Sequence, residues 1–126
     1  MPEMCTDSWQ GRALVVGGGG IGRALSAELA RRQSSLQVTL ATRHPVSDQE
    51  WTVDLQCTDS LSKLTEQLRG DSHPLRVVIN ATGRLHGPSY QPEKRLQHAE
   101  QSALLDSFAI NAAGPLLLAK AVEPVL

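Results

Sequence analysis

The sequence predicts an α/β domain, a doubly wound parallel sheet with helices on both faces. Short continuous apolar runs, Ala13–Val16 and Val77–Ile79, have the pattern of strands buried on both sides. Segments with helical apolar spacing lie between and after these runs, so strand and helix alternate along the chain with right-handed crossovers. A cluster of glycines, Gly17–Gly20 and Gly22, stands at the first change from one pattern to the other.

The first strand is Arg12–Val16, and a helix follows Gly17–Gly22. Its apolar stripe is Ile21, Ala24, Leu25 and Leu29, with Glu28 beside it and the cations Arg31 and Arg32 in the last turn. Leu36, Val38 and Leu40 lead through Ala41–Thr42–Arg43 toward Pro45 as a second strand, and Trp51–Asp54 is a weaker third. Asp59 or Ser60 then caps a helix carrying Leu61, Leu64 and Leu68, which stops at Gly70. A fourth strand, Arg76–Asn80, follows Pro74. From about Gln97 to Val122 the pattern is helical, with Leu104, Leu105, Phe108, Ala112 and Leu116 as the stripe.

With 126 residues the chain makes one domain over 1–126, which excludes a second. Twelve basic residues against thirteen acidic ones leave a net charge of −1, too weak a field to hold nucleic acid or an anionic membrane. No stretch approaches the roughly 18 apolar residues of a membrane span, and Gly114 and Pro115 break the run Ala112–Ala119. Cys5 and Cys57 have no metal-ligand spacing, and Met1–Gln10 lacks the pattern of a secretion signal, so a cytoplasmic location is expected. His44, His73, His86 and His98 are scattered over loops as solvated side chains, and no metal site is expected.

Gly17, Gly19 and Gly22 fit the spacing GxGxxG between a buried strand and an amphipathic helix, the context that gives this weak pattern meaning. Glycines there let a pyrophosphate approach the backbone and meet the N–H groups of the first helical turn. A flexible linker would not be flanked by both patterns in register, and a P-loop is excluded because no Lys-Ser or Lys-Thr follows. About 20 residues further on, an acidic side chain would accept hydrogen bonds from the ribose 2′-hydroxyl of NAD. This chain has Thr42 and Arg43 instead. A guanidinium matches a 2′-phosphate, which predicts NADP over NAD; the alternative is a solvated charge at the strand end.

Several stretches together resemble the N-terminal half of a short-chain dehydrogenase/reductase, over nearly the whole chain. Gly20–Ile21–Gly22 is similar to the end of that family's phosphate loop, and Asp54–Leu55 to the acidic position that meets the adenine. Asn80–Ala81–Thr82–Gly83 resembles the family's Asn-Asn-Ala-Gly segment, and Phe108–Ala109–Ile110–Asn111 the helix bearing its structural and catalytic asparagine. Leu85–His86–Gly87 with Pro92–Glu93–Lys94 looks more narrowly like the C-factor branch. The resemblance implies a Rossmann-type sheet of about four strands in the order 3-2-1-4. It implies cofactor contacts from Gly17, Gly19, Gly20, Ile21, Gly22, Thr42, Arg43, Asp54, Leu55, Asn80, Ala81, Thr82 and Gly83. Asn111 would be the catalytic residue within this span, and hydride transfer to or from a small carbonyl or alcohol the reaction.

The chain departs from the family in three places. Its phosphate loop is one residue shorter, with Val16 where the family has glycine. Ala81 and Thr82 replace two members of the strand 4 segment. The catalytic Ser, Tyr and Lys that the resemblance implies all fall beyond Leu126. Tyr90 and Lys94 do not replace them, since Pro92 stands between them and both precede Asn111. The chain alone is therefore expected to bind a dinucleotide with negligible turnover, and to be a truncated product or a self-associating one that covers the fourth strand's edge as a homo-oligomer. Pro115, four residues after Asn111, removes the N–H that would bond the Asn111 carbonyl. Two readings of it stand: a proton-relay water on that carbonyl, which the resemblance implies, or a kink without function. Two classes of function likewise stand: the cofactor-binding half of an oxidoreductase, or a non-catalytic dinucleotide-sensing or interaction module.

Overall fold

The structure, a computed structural model, describes residues 9–83 and 96–126. The expectations for Cys5, for most of Met1–Gln10, and for Leu85–Gly87, Tyr90 and Pro92–Lys94 lie outside the described residues.

Four parallel strands, β1 (Gly11–Val16), β2 (Leu36–Thr42), β3 (Trp51–Thr52) and β4 (Leu75–Asn80), form one sheet in the order β3-β2-β1-β4. β1 is central, and Ala13–Val16 are buried because helices cover both faces. Side chains alternate across the sheet, so Leu14 and Val16 enter the main core with Ala41, Val53, Leu55, Leu61, Leu64, Leu68, Leu118 and Val122. Helix α1 (Gly20–Arg32) packs on β1 and β2, and α2 (Thr58–Arg69) packs against α4 (Gly114–Val122). The third strand is shorter than Trp51–Asp54, because the chain turns at Asp54, whose carboxylate accepts the Gln56 amide at 2.9 Å.

Helix α2 is capped by neither Asp59 nor Ser60. Cys57 is the N-cap residue, and Ser60 Oγ accepts the Asp54 amide at 2.8 Å instead. Asp59 falls in the first turn, where its charge suits the helix dipole.

The buried faces of the other helices also differ from the sequence expectation. Ile21, Ala24 and Leu25 of α1 are exposed, and the close contact is made by Gly22. The last helical stretch begins with a 3₁₀ turn, Leu96–His98. It continues as α3 (Gln101–Phe108), a π-helical turn (Ala109–Ala113) and α4. Its buried stripe is Ala103, Ile110, Gly114, Leu118 and Val122, while Leu104, Leu105, Phe108, Ala112 and Leu116 are exposed. Two of the five buried residues are small, and at Gly114 the space is limited: a Cβ there would touch Leu55, in the segment after β3, at 3.4 Å. The π turn just before Pro115 absorbs the ring and the lost N–H, so the helix is interrupted as the proline predicted. No continuous apolar run of membrane-spanning length exists, yet an 18-residue window of the helical stretch Gln101–Val125 has a mean hydropathy of 1.4, long and apolar enough by length and composition to cross a membrane. In this fold Leu118 and Val122 of its buried stripe belong to the domain's own core.

Beneath the sheet, Arg12 bonds the Asp71 carboxylate through Nε and Nη2 and Thr39 Oγ1 through Nη1, and stacks 4.9 Å from the Trp51 ring centre. His73 joins this group, with Nδ1 3.4 Å from Arg12 Nη2, and is not the isolated solvated side chain expected.

Candidate functional site

Parallel strands deliver all their C-terminal ends to one edge, and in this sheet β2 and β4 leave β1 on opposite sides. That makes a topological switch point beside the end of β1, the place where open α/β sheets bind ligands. A cleft of about 270 Å³ opens there. Its floor is Val16, Ala41, Val53 and Ile110, and its walls come from four loops: Gly17–Gly19 after β1, Thr42–His44 after β2, Asp54–Leu55 after β3 and Ala81–Gly83 after β4.

The first loop is shaped by two glycines. Gly17 has φ +123°, and a Cβ there would lie 2.8 Å from the Ala81 carbonyl group. Its amide continues the ladder to Ala41 O at 2.9 Å, as the Ala81 amide does to Val16 O at 2.7 Å. At Gly22 a Cβ would stand 1.9 Å from the carbonyl oxygen of Gly17, so this glycine lets the helix start directly beneath the loop. Gly19 and Gly20 have open space where a side chain would be. Helix α1 begins after Gly19 with no side-chain cap and no acidic residue in its first turn. The first N–H groups of a helix have no intrahelical acceptor, so the cleft is bordered by donors and the positive end of a dipole, suited to an anion.

Of the residues expected to contact a cofactor, Gly17, Gly19, Thr42, Arg43, Asp54, Leu55, Ala81, Thr82 and Gly83 line the cleft. Four are not among its lining. Gly22 is buried behind the loop, Gly20 lies in the helix's first turn, and Ile21 is 74% exposed. Asn80 acts from behind: its Oδ1 accepts the Thr82 amide at 3.2 Å and the Thr82 hydroxyl at 2.6 Å, fixing the segment after β4. Asn111 stands beside the cleft, with Oδ1 3.6 Å from the Cβ position of Gly83 and Nδ2 donating to Ser107 Oγ at 3.1 Å.

Sequence reasoning missed Gly18, His44 and the apolar floor. Gly18 sits in a variable position of the fingerprint, yet a Cβ there would fall 2.5 Å from Thr42 Oγ1. His44 follows Arg43 directly, and its amide donates to Thr42 Oγ1 at 3.4 Å. At the cleft's edge Arg23 reaches back from α1 to pair with Glu50 and to donate to Gly18 O at 3.0 Å. The pairing holds the Glu50 carboxyl below the usual range, mainly through the Arg23 hydrogen bonds. Among the described residues no group of three or more His, Cys, Asp or Glu could hold a metal ion.

No family model and no curated protein matches the chain. Solved structures do match. A short-chain dehydrogenase/reductase from Saccharomyces cerevisiae superposes with a TM-score of 0.76 at 18% identity, over 92% of this chain and 49% of that one. Actinorhodin polyketide ketoreductase with NADPH gives 0.71 at 20%, over 90% and 46%. A ribose-5-phosphate isomerase from Brucella melitensis gives 0.71 at 22%, over 94% and 48%. Others include a short-chain dehydrogenase/reductase from Brucella ovis. The chain therefore has a Rossmann-like α/β fold, a parallel sheet in the order 3-2-1-4 with flanking helices, as the solved short-chain dehydrogenase/reductases do, and it spans about half the length of the solved chains it matches. At these identities the likeness defines the fold.

Proposed function

We propose that this chain is the NADP-binding portion of a short-chain dehydrogenase/reductase, an oxidoreductase that moves a hydride between nicotinamide and a small carbonyl or alcohol. The observation that carries this reading is the uncapped, acid-free start of α1 opening onto the switch-point cleft, with Gly19 and Gly20 unobstructed. A pyrophosphate is the anion that such a start accommodates. The 2′-phosphate falls to Arg43, which lines the cleft beyond the end of β2 where an NAD enzyme would carry a carboxylate. The neighbour bound to NADPH is in keeping with that choice. Bound dinucleotide would supply the hydride chemistry, and this chain's residues bind and orient it. Asn111, beside Gly83, is assigned the catalytic relay role.

The same reading includes the C-factor-like branch, on the sequence resemblance of Leu85–Gly87 and Pro92–Lys94, and a cytoplasmic location. A homo-oligomer is favoured by the exposure of Leu105, Phe108 and Leu116 along one helical stretch. Calorimetric titration with NADP and NAD tests the cofactor assignment. Arg43→Ala is expected to weaken NADP by about 10- to 100-fold, the worth of a charge-assisted contact, and to leave NAD unchanged. Equal wild-type affinity for the two would refute the NADP assignment, and binding of neither would refute the whole reading.

A further inference from the structure

Arg23 and Glu50 meet where the glycine loop faces the segment after β2. Arg23 Nη1 and Nη2 donate to Oε2 and Oε1 of Glu50 at 3.1 Å each, while Nε holds the carbonyl of Gly18 at 3.0 Å. The Glu50 side chain is drawn in, 10% exposed against 40% for Arg23, and its Oε1 also accepts the Val46 amide at 3.3 Å. The pair stands against the cleft wall. Arg23 Nη2 is 3.6 Å and Thr42 Oγ1 2.5 Å from the point a Cβ on Gly18 would occupy, and Gly18, Thr42, Arg43 and His44 all line the cleft. A second guanidinium is thus stationed beside the end of the cleft that holds Arg43, with its charge neutralised by a carboxylate.

A phosphate monoester presents a guanidinium with the same two-oxygen geometry as a carboxylate and carries more charge. We propose that Glu50 is a resident competitor of the ligand's 2′-phosphate for Arg23, so that the pair, together with Arg43, sets how strongly the site prefers the phosphorylated dinucleotide. This rests on the dinucleotide reading above and adds a specificity-determining pair to it. A simple brace between two loops has a different signature. Loosening a brace would weaken NAD and NADP alike.

The test is titration of the full chain with NADP and NAD, and with 2′,5′-ADP and 5′-ADP as shorter probes. Glu50→Gln retains an oxygen for the Val46 amide and removes the charge. It should tighten NADP and 2′,5′-ADP by about threefold to tenfold, the scale of one added charge a few ångströms from the phosphate in a solvated cleft, with NAD and 5′-ADP within about twofold of wild type. The gain should disappear in the double variant Arg23→Gln/Glu50→Gln and shrink at high salt. Arg23→Gln alone is the second arm, independent of whether Glu50→Gln folds: it removes the guanidinium and leaves the Glu50 charge uncompensated behind the cleft wall, and should weaken NADP selectively by a similar factor. Equal loss for both nucleotides in either single variant, or a gain that survives in the double variant, overturns the proposal while leaving the dinucleotide reading intact. A wild type that binds neither nucleotide overturns both.

Discussion

The sharpest perturbation of the site's architecture is Gly22→Ala. The new methyl carbon would sit 1.9 Å from the carbonyl oxygen of Gly17 and 3.0 Å from its carbonyl carbon. Carbon atoms pack at about 3.5–4.0 Å and carbonyl oxygens only slightly closer, so the loop or the helix start must move by more than about 1 Å. Neither yields readily. Gly17 is bonded through its amide to Ala41 and pressed against Ala81, and α1 lies along β1 and β2. Overpacking against backbone of this kind costs about 2–4 kcal/mol, a large share of the roughly 5–15 kcal/mol that holds a domain together. Urea unfolding followed by circular dichroism should show a midpoint lower by about 1–2 M at an unchanged slope. Gly20→Ala is the matched control two residues away. It meets nothing within 4 Å, and exchanging glycine for alanine at a compatible backbone conformation should raise stability by about 0.4–1 kcal/mol by reducing the freedom of the unfolded chain. A Gly22→Ala protein within about 0.5 kcal/mol of wild type, or a Gly20→Ala protein that is the weaker of the two, would refute the reasoning.

Three further outcomes are expected. Leu64→Ala empties a 1%-exposed position in the core between α2 and the sheet and should cost about 2–5 kcal/mol in the same unfolding assay. Asp71 is held below its ordinary pKa of 3.8, chiefly by the Arg12 hydrogen bonds, so it stabilises the fold above about pH 4 and that contribution is lost as pH falls through the lowered value. Asp71→Asn should therefore be less stable than wild type at pH 7, with the gap closing below pH 4; a gap of constant size from pH 7 to pH 3 contradicts the ion-pair account. Phe108→Glu places a charge on the exposed apolar face of α3, where Phe108 is 60% exposed, and should shift sedimentation toward monomer and remove the dependence of the melting temperature on protein concentration. An unchanged oligomeric state would remove that face from the interface.

The strands and their succession were legible because a strand buried on both faces must be apolar throughout, and Ala13–Val16 can be little else. The glycine loop was legible for a related reason: its spacing matters only between a strand and a helix, and the chain supplies both. Of the helix faces, that of α2 was legible, since Leu61, Leu64 and Leu68 are its buried residues, but those of α1 and of the last helical stretch were not. The stretch from Gln101 is apolar on more than one side, so periodicity alone selected Leu104, Leu105, Phe108, Ala112 and Leu116, whereas packing used Ala103, Ile110 and Gly114. At Gly114 the close contact with Leu55 favours a residue without a side chain, which a hydrophobicity pattern undervalues. The start of α2 was misplaced because Asp59 and Ser60 are good caps in isolation, while the tertiary turn at Asp54 takes the Ser60 hydroxyl for itself. At the site, the wall residues follow known spacing, but the Arg23–Glu50 pair joins positions 27 apart and leaves no local signal. The Arg12–Asp71 pair, 59 apart, is hidden for the same reason.

Backbone amide NMR during titration with ADP, the portion of the ligand that carries the diphosphate, addresses the central point most directly. Saturable shifts largest at Gly19, Gly20 and Ile21, with smaller ones at Ala81–Gly83, are the predicted result. Shifts confined to the groove that Leu61, Thr65, Leu117 and Ala121 line between α2 and α4, or none at millimolar ADP, would contradict it.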